Sequence, residues 1–267
     1  MSKVRHDFKR VLLRLPHSAK DYAAVTLIAE LAGRLGADLI GTYVEDGDIR
    51  NLVELPGARE FRAGAWQPLQ SGQLTLDLAS AAWQAERLFL QRAGRYRHSF
   101  QVVNSASAAT HEAGSDDIIV VIEPKSAIER ATHQFNELLE HAYRSKSSIL
   151  WVPGEAKHLT GPVVVVARGP NDPCIPAAVS IAASVKERII LIPENSSGVS
   201  FSAALDQANA VGVTTTLSEA VFHQDDLLLP PHIKAGLFVT GREREIGRLR
   251  LLQTPLLLVA GNRAATS

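Results

Sequence analysis

An open α/β fold, with parallel strands covered by helices on both faces and the unit made twice, is what this 267-residue sequence predicts. Compact apolar runs alternate along the chain with segments whose apolar residues recur at helical spacing. The mid-chain run Ser148-Ile149-Leu150-Trp151-Val152-Pro153-Gly154 is echoed near the end by Thr254-Pro255-Leu256-Leu257-Leu258-Val259-Ala260-Gly261. Just after it, Gly161-Pro162-Val163-Val164-Val165-Val166-Ala167 echoes the opening Arg10-Val11-Leu12-Leu13-Arg14-Leu15-Pro16. A midpoint that repeats both beginning and end is most simply two copies of one unit. The copies are expected at 1–155, with an insertion at about 45–72, and at 161–267, each carrying its own five-stranded parallel sheet.

The first copy opens with a strand at 11–15, buried on both faces by its unbroken apolar character. Ala24, Leu27, Ile28, Leu31 and Leu35 then form one helical stripe, with Gly36 as its stop. A strand at 39–44 follows, so the opening is a right-handed βαβ unit. From 45 to 72 the pattern weakens: Pro56-Gly57, Gly64 and Pro68 interrupt it, and 48–55 is compatible with a short helix. Long insertions in compact domains tend to be functional, and this one is a candidate lid or contact surface. Leu74, Leu78, Ala81, Ala85, Leu88 and Phe89 mark the second helix, and 97–103 the third strand. A short helix at 105–112 and a fourth strand at 117–122 precede a long helix over 126–143. Ile128, Ala131, Phe135, Leu138, Leu139 and Ala142 are its expected inward face, and 149–152 is the fifth strand.

The second copy repeats the order with shorter parts. Its strands are expected at 163–167, 188–192, 213–217, 237–240 and 256–259. The first helix is marked by Ala178, Ile181, Ala182 and Val185; others are expected at 201–210, near 218–224 and within 242–252.

Composition narrows the function classes. Lys plus Arg equals Asp plus Glu at 28 each, so no net field draws the chain to nucleic acid or to an anionic membrane. No apolar run approaches the ~20 residues that span a bilayer, and no signal-peptide pattern opens the chain, so a cytoplasmic location is expected. The single cysteine, Cys174, supplies neither an internal disulfide nor a multi-cysteine metal site, and reads as buried apolar filler.

In order, the motifs resemble the universal stress protein family, in its tandem two-domain form. The opening run ending in Pro16-His17-Ser18 sits where that family has a strand followed by Asp-Gly-Ser. Leu35-Gly36-Ala37-Asp38-Leu39 leads into a second strand ending Val44-Glu45-Asp46, and Asp116-Asp117-Ile118-Ile119-Val120-Val121 resembles the family's fourth strand. Both closing runs resemble its final strand. The resemblance covers most of 8–154 and, less closely, 162–261. It implies the fold shared with adenine-nucleotide alpha hydrolases and a division between members that bind ATP and members that do not. It also implies that the fifth strands form the dimer contact, here an internal pseudo-dimer through Ile149, Trp151, Val152, Leu256 and Leu258.

ATP-binding members place a Gly-x2-Gly-x9-Gly-Ser/Thr/Asn loop after the fourth strand, where glycines let backbone N–H groups approach phosphate. The corresponding stretch of the first copy, Glu123-Pro124-Lys125-Ser126-Ala127-Ile128-Glu129-Arg130, has no glycine and carries a repelling carboxylate. The second copy keeps Thr240-Gly241 and Gly247, with Arg242 and Arg244, which makes these the candidate phosphate contacts for ATP or AMP. Glu243 and Glu245 alternate with the arginines, however, which is also the pattern of a solvated, self-paired helix face. The family aspartate after the first strand is replaced by Pro16 in one copy and Arg168 in the other, although Asp172 lies close by.

Other groupings have weaker chemistry. His133, Glu137 and His141 line one helix face without the further ligands that zinc needs, so no metal is expected. His17 and Ser18, with Asp21 or Asp46, lie past a strand end where open sheets bind ligands, but no nucleophile elbow supports a triad. Trp83, beside its helix's apolar stripe, reads as core or interface packing, and Trp66 flanks the insertion's breakpoints. Three readings follow. The first is a non-catalytic, stress-related adaptor with degenerate nucleotide sites, no resident cofactor, a protein partner and the option of further homodimerisation. The second is a nucleotide sensor or weak ATPase using the second copy. The third is a hydrolase working through His17.

Overall fold

The structure is a computed structural model that describes residues 6–15, 22–45, 51, 55–103, 113–154, 156, 159–194, 200–218, 235–242 and 254–260. The first half comprises β1 (Arg10–Arg14), α1 (Tyr22–Leu35), β2 (Asp38–Val44), β3 (Arg59–Arg62), β4 (Ala65–Pro68), α2 (Ser71–Ala93), β5 (His98–Val103), β6 (Asp117–Ile122), α3 (Ala127–Arg130), α4 (His133–Arg144) and β7 (Ser148–Val152). The second comprises β8 (Val163–Ala167), α5 (Cys174–Val185), β9 (Ile189–Pro193), α6 (Ser202–Ala210), β10 (Thr215–Leu217), β11 (Leu237–Gly241) and β12 (Leu256–Val259).

The two expected five-stranded sets are joined edge to edge in one ten-stranded sheet, ordered β10-β9-β8-β11-β12-β7-β6-β1-β2-β5. Counted from its own start, each half reads third, second, first, fourth, fifth toward the join. Pairs within each half are parallel. The join is antiparallel, with Leu256 opposite Trp151, Leu257 opposite Leu150 and Leu258 opposite Ile149. Unbroken apolar runs suit strands buried on both faces, and β7, β8 and β12 are buried throughout.

Two clusters make the core, one on each face of the sheet. The larger is built around α1, α2 and α5; the smaller packs Phe135, Leu138 and Ala142 of α4 over Trp151, Phe238, Leu256 and Leu258. A second tie crosses the molecule. His6 donates its N–H to Ser180 Oγ at 2.8 Å and accepts from the same hydroxyl at 2.7 Å, fastening the N-terminal segment onto α5.

Several expectations change. The inserted segment holds an antiparallel hairpin, β3–β4, that the interrupted pattern did not reveal. Its turn places Ala63 and Gly64 at φ of 51° and 85°, the two positive values of a type I′ turn. The long helix over 126–143 is two helices, because Thr132 is extended and accepts from Phe135 N at 3.3 Å as a new N-cap. That break turns Ile128 outward at 81% exposure and exposes Ala131, both expected inward. The buried stripe of α2 is Ala82, Ala85, Phe89 and Ala93, rotated from the expected one. Trp83 is 58% exposed with Arg87 stacked over it, so it is not a core residue of this chain. Strand β5 begins one residue later than expected and β10 is only three residues long. The helices expected at 105–112, near 218–224 and within 242–252 lie outside the described residues, apart from the bordering Ser218 and Arg242, which are not helical. So does most of the short helix expected at 48–55.

Candidate functional site

Open parallel sheets bind ligands outside the carboxyl ends of their strands, where the strand order reverses. Here that point lies between β1 and β6 in the first half and between β8 and β11 in the second.

In the second half, β8 ends at Ala167, which stands level with Gly241 when the β8–β11 register is continued. Arg168 follows, and its guanidinium reaches over Gly241: a Cβ added there would lie 3.9 Å from Arg168 Nη2. The same side chain donates from Nε to Glu194 Oε2 at 3.3 Å, with the Glu194 carboxylate 3% exposed and the arginine 53%. Asp172 Oδ2 accepts from Arg168 N and Asp172 Oδ1 from Cys174 N, each at 2.9 Å, so this carboxylate ties the loop and the start of α5 together. Cys174 is buried at the start of α5. Arg168 therefore meets one carboxylate through its guanidinium and a second through its backbone N–H, and the immediate charge balance does not favour an incoming phosphate. Thr240 is fully buried, and its Oγ1 has no hydrogen-bond partner among the described residues.

Arg242, the next residue but one, points to the other half. Its Nη1 donates to Ser145 O at 2.7 Å and Ser147 O at 2.9 Å; its Nη2 donates to Ala142 O at 2.9 Å and to Tyr143 O. These are carbonyls at the C-terminal end of α4 and the turn beyond, groups a helix leaves without internal partners. The antiparallel join explains the reach, since it sets the carboxyl end of β11 level with the amino end of β7, with β12 between them. Tyr143's ring centroid lies 5.7 Å from the guanidinium. Burial pulls the Arg242 pKa below its ordinary value, and the Tyr143 charge opposes that pull.

In the first half, Arg14 at the end of β1 donates from Nη1 to Gln134 O at 2.7 Å and from Nη2 to Gln134 Oε1 at 2.9 Å. Glu123, just past β6, accepts from Trp151 Nε1 at 3.3 Å. Arg130 folds back from α3 so that Nη1 donates to Pro124 O at 2.8 Å and Lys125 O at 3.1 Å. Ser126 caps α3 by accepting from Ile128 N at 3.2 Å. Each of these polar groups is engaged by the chain's own neighbouring groups.

Of the residues singled out in the sequence, Thr240, Gly241, Arg242 and Asp172 lie at the second carboxyl edge, but Arg242 turns away from Arg168 and Asp172. Ile149, Trp151, Val152, Leu256 and Leu258 occupy the joined strands and are buried. His17, Ser18, Asp46, Arg244 and Gly247 lie outside the described residues. His141 Nε2 stands 4.0 Å from Glu137 Oε1, and no cluster of three metal-ligating side chains exists among the described residues. No helix among them is long and apolar enough to cross a membrane. Arg14 and Glu194 were not anticipated, and Arg168 was noted only as the replacement for the family aspartate; the sequence signal of each is a charged residue at the end of an apolar run.

Solved structures with the same arrangement exist. A universal stress protein from Archaeoglobus fulgidus DSM 4304 matches with a TM-score of 0.61 at 10% identity, covering 97% of this chain and 99% of that one. A functionally unknown protein from Pseudomonas aeruginosa PAO1 matches with a TM-score of 0.52 at 15% identity, covering 95% and 93%. No protein-family model and no curated protein matches the sequence.

Proposed function

The fold is that of a universal stress protein over nearly the whole chain, and on that premise we propose a tandem member that works as a non-catalytic binding or adaptor protein. Its units are 1–155 and 161–267, packed as an internal pseudo-dimer through β7 and β12. Its nucleotide sites are degenerate, so it needs no resident cofactor and its partner is another protein.

The observation that carries this reading is Arg242. It was one of the candidate phosphate contacts of the second copy, with Thr240, Gly241, Arg244 and Gly247, and four of its five N–H donors are instead spent on carbonyls of the first half. A guanidinium so engaged must give up its bonds to four carbonyls at the end of α4 to meet a phosphate, and of these Ala142 O keeps a second donor, Ser145 Oγ. The pairing of the Arg168 guanidinium with Glu194 and the glycine-free corner at 123–130 support the same conclusion.

The test is direct. Purified protein, denatured and extracted, should release no stoichiometric nucleotide, and millimolar ATP or AMP should leave its melting temperature unchanged. A second reading, a nucleotide sensor in the second half, draws on the buried, unpartnered Thr240 hydroxyl beside Gly241. Co-purifying nucleotide, or an ATP-induced rise in melting temperature that disappears in Gly241→Asp, would establish it instead.

A further inference from the structure

Helix α2 shows two apolar stripes. One is the buried set that packs into the core; the other faces outward and consists of Leu76, Trp83 and Leu90, which are 66%, 58% and 42% exposed. Their spacing is seven and seven, so they line one side of the helix, with Gly72 and Ala79 as small residues beside them. The hairpin that leads into α2 adds Phe61 and Trp66, a cross-strand edge-to-face pair 5.5 Å between centroids, 63% and 66% exposed. Five large apolar side chains therefore lie open along one continuous stretch of chain, although an ordinary surface scatters such residues singly.

We propose that this surface docks a second copy of the same chain, with the two α2 helices antiparallel across a two-fold axis at Trp83. The spacing favours this occupant. Trp83 lies seven residues from each leucine, so a two-fold axis through it sets Leu76 of one copy against Leu90 of the other. An isologous interface demands such self-complementarity, and an unrelated partner does not. The area agrees. Two tryptophans and a phenylalanine at roughly 60% exposure offer about 350–450 Å², and two leucines raise the total to roughly 600 Å² per copy. Two copies would then bury about 1,200 Å², the lower bound for a stable interface, whereas the three α2 residues alone fall well short. Antiparallel helices also carry each hairpin toward the other copy's α2 C-terminus, which engages Phe61 and Trp66 as well. This contact is separate from the β7–β12 join and from both carboxyl edges, so it stands whether or not the chain binds nucleotide.

The experiment is sedimentation of the full chain from about 1 to 100 µM, with far-UV circular dichroism as a check on folding. Wild type should reach twice the chain mass. Trp83→Glu should keep its spectrum and weaken association by roughly tenfold or more, while Ile128→Glu, an equally open apolar site elsewhere, should associate as wild type does. Under mild oxidation Trp83→Cys should form a disulfide-linked dimer, because a residue on the axis meets its own copy; this arm also serves if Trp83→Glu fails to fold. A wild type that stays monomeric throughout would overturn the proposal and leave the stripe to a different protein. A dimer that survives Trp83→Glu, is lost in Ile128→Glu, or gives no cross-link at position 83 would overturn it too.

Discussion

Asp117 and Asp116 are neighbours in sequence with opposite fates. Asp117 is buried at the start of β6, where Arg10 grips both its oxygens, Nε to Oδ1 at 3.0 Å and Nη2 to Oδ2 at 2.6 Å, and Gly114 N donates at 2.7 Å. Asp116 faces solvent and pairs with Lys9 at 2.9 Å. Exposed pairs contribute little, whereas removing one partner of a buried pair leaves a charge without compensation. With Arg10 about one-third exposed, Asp117→Ala should cost about 2 kcal/mol or somewhat more in urea unfolding, and Asp116→Ala much less. Equal effects from the two substitutions would refute that assignment. Nothing local distinguishes these aspartates; the register of β6 against β1, which sets Asp117 opposite Arg10, decides which is buried.

At the level of elements, close approach accounts for one glycine and capping for the misread helix. Phe89 of α2 packs against Gly41 of β2, so an added Cβ would sit 2.7 Å from the ring of a fully buried side chain. Gly41→Ala should therefore destabilise the fold by about 1–3 kcal/mol by overpacking, despite the better intrinsic strand propensity of alanine. Phe89→Leu in the same chain should recover part of that loss, as measured by thermal unfolding. The division between α3 and α4 was available in principle, since Ser126 and Thr132 are both good N-cap residues. Apolar periodicity nevertheless continues across the break at Ile128 and Ala131, and it misleads because α3 is too short to bury a face.

Across the whole molecule, two halves with the same strand order share one sheet, and the join rests on a few residues. Trp151 is 2% exposed, lies edge-on to Phe135 at 6.3 Å and donates to Glu123. Trp151→Asp removes that packing and sets a second carboxylate beside Glu123 in an apolar seam, so a loss of at least about 3–5 kcal/mol is expected. Unchanged thermal stability would mean that the join does not hold the halves together.

Periodicity and punctuation alone determined the ten strands of the main sheet, the helices α1, α2, α5 and α6 and the apolar identity of both joining runs, because each depends on residues within about a dozen positions of one another. The hairpin escaped because a two-residue turn at Ala63-Gly64 between short, exposed strands leaves almost no apolar alternation. Where Arg242 would spend its charge, which aspartate would be buried and which side of α2 would stay open were decided only by tertiary structure. Those outcomes depend on groups brought together from across the chain: about a hundred residues separate Arg242 from the carbonyls it caps, and only the antiparallel meeting of β7 with β12 closes that distance.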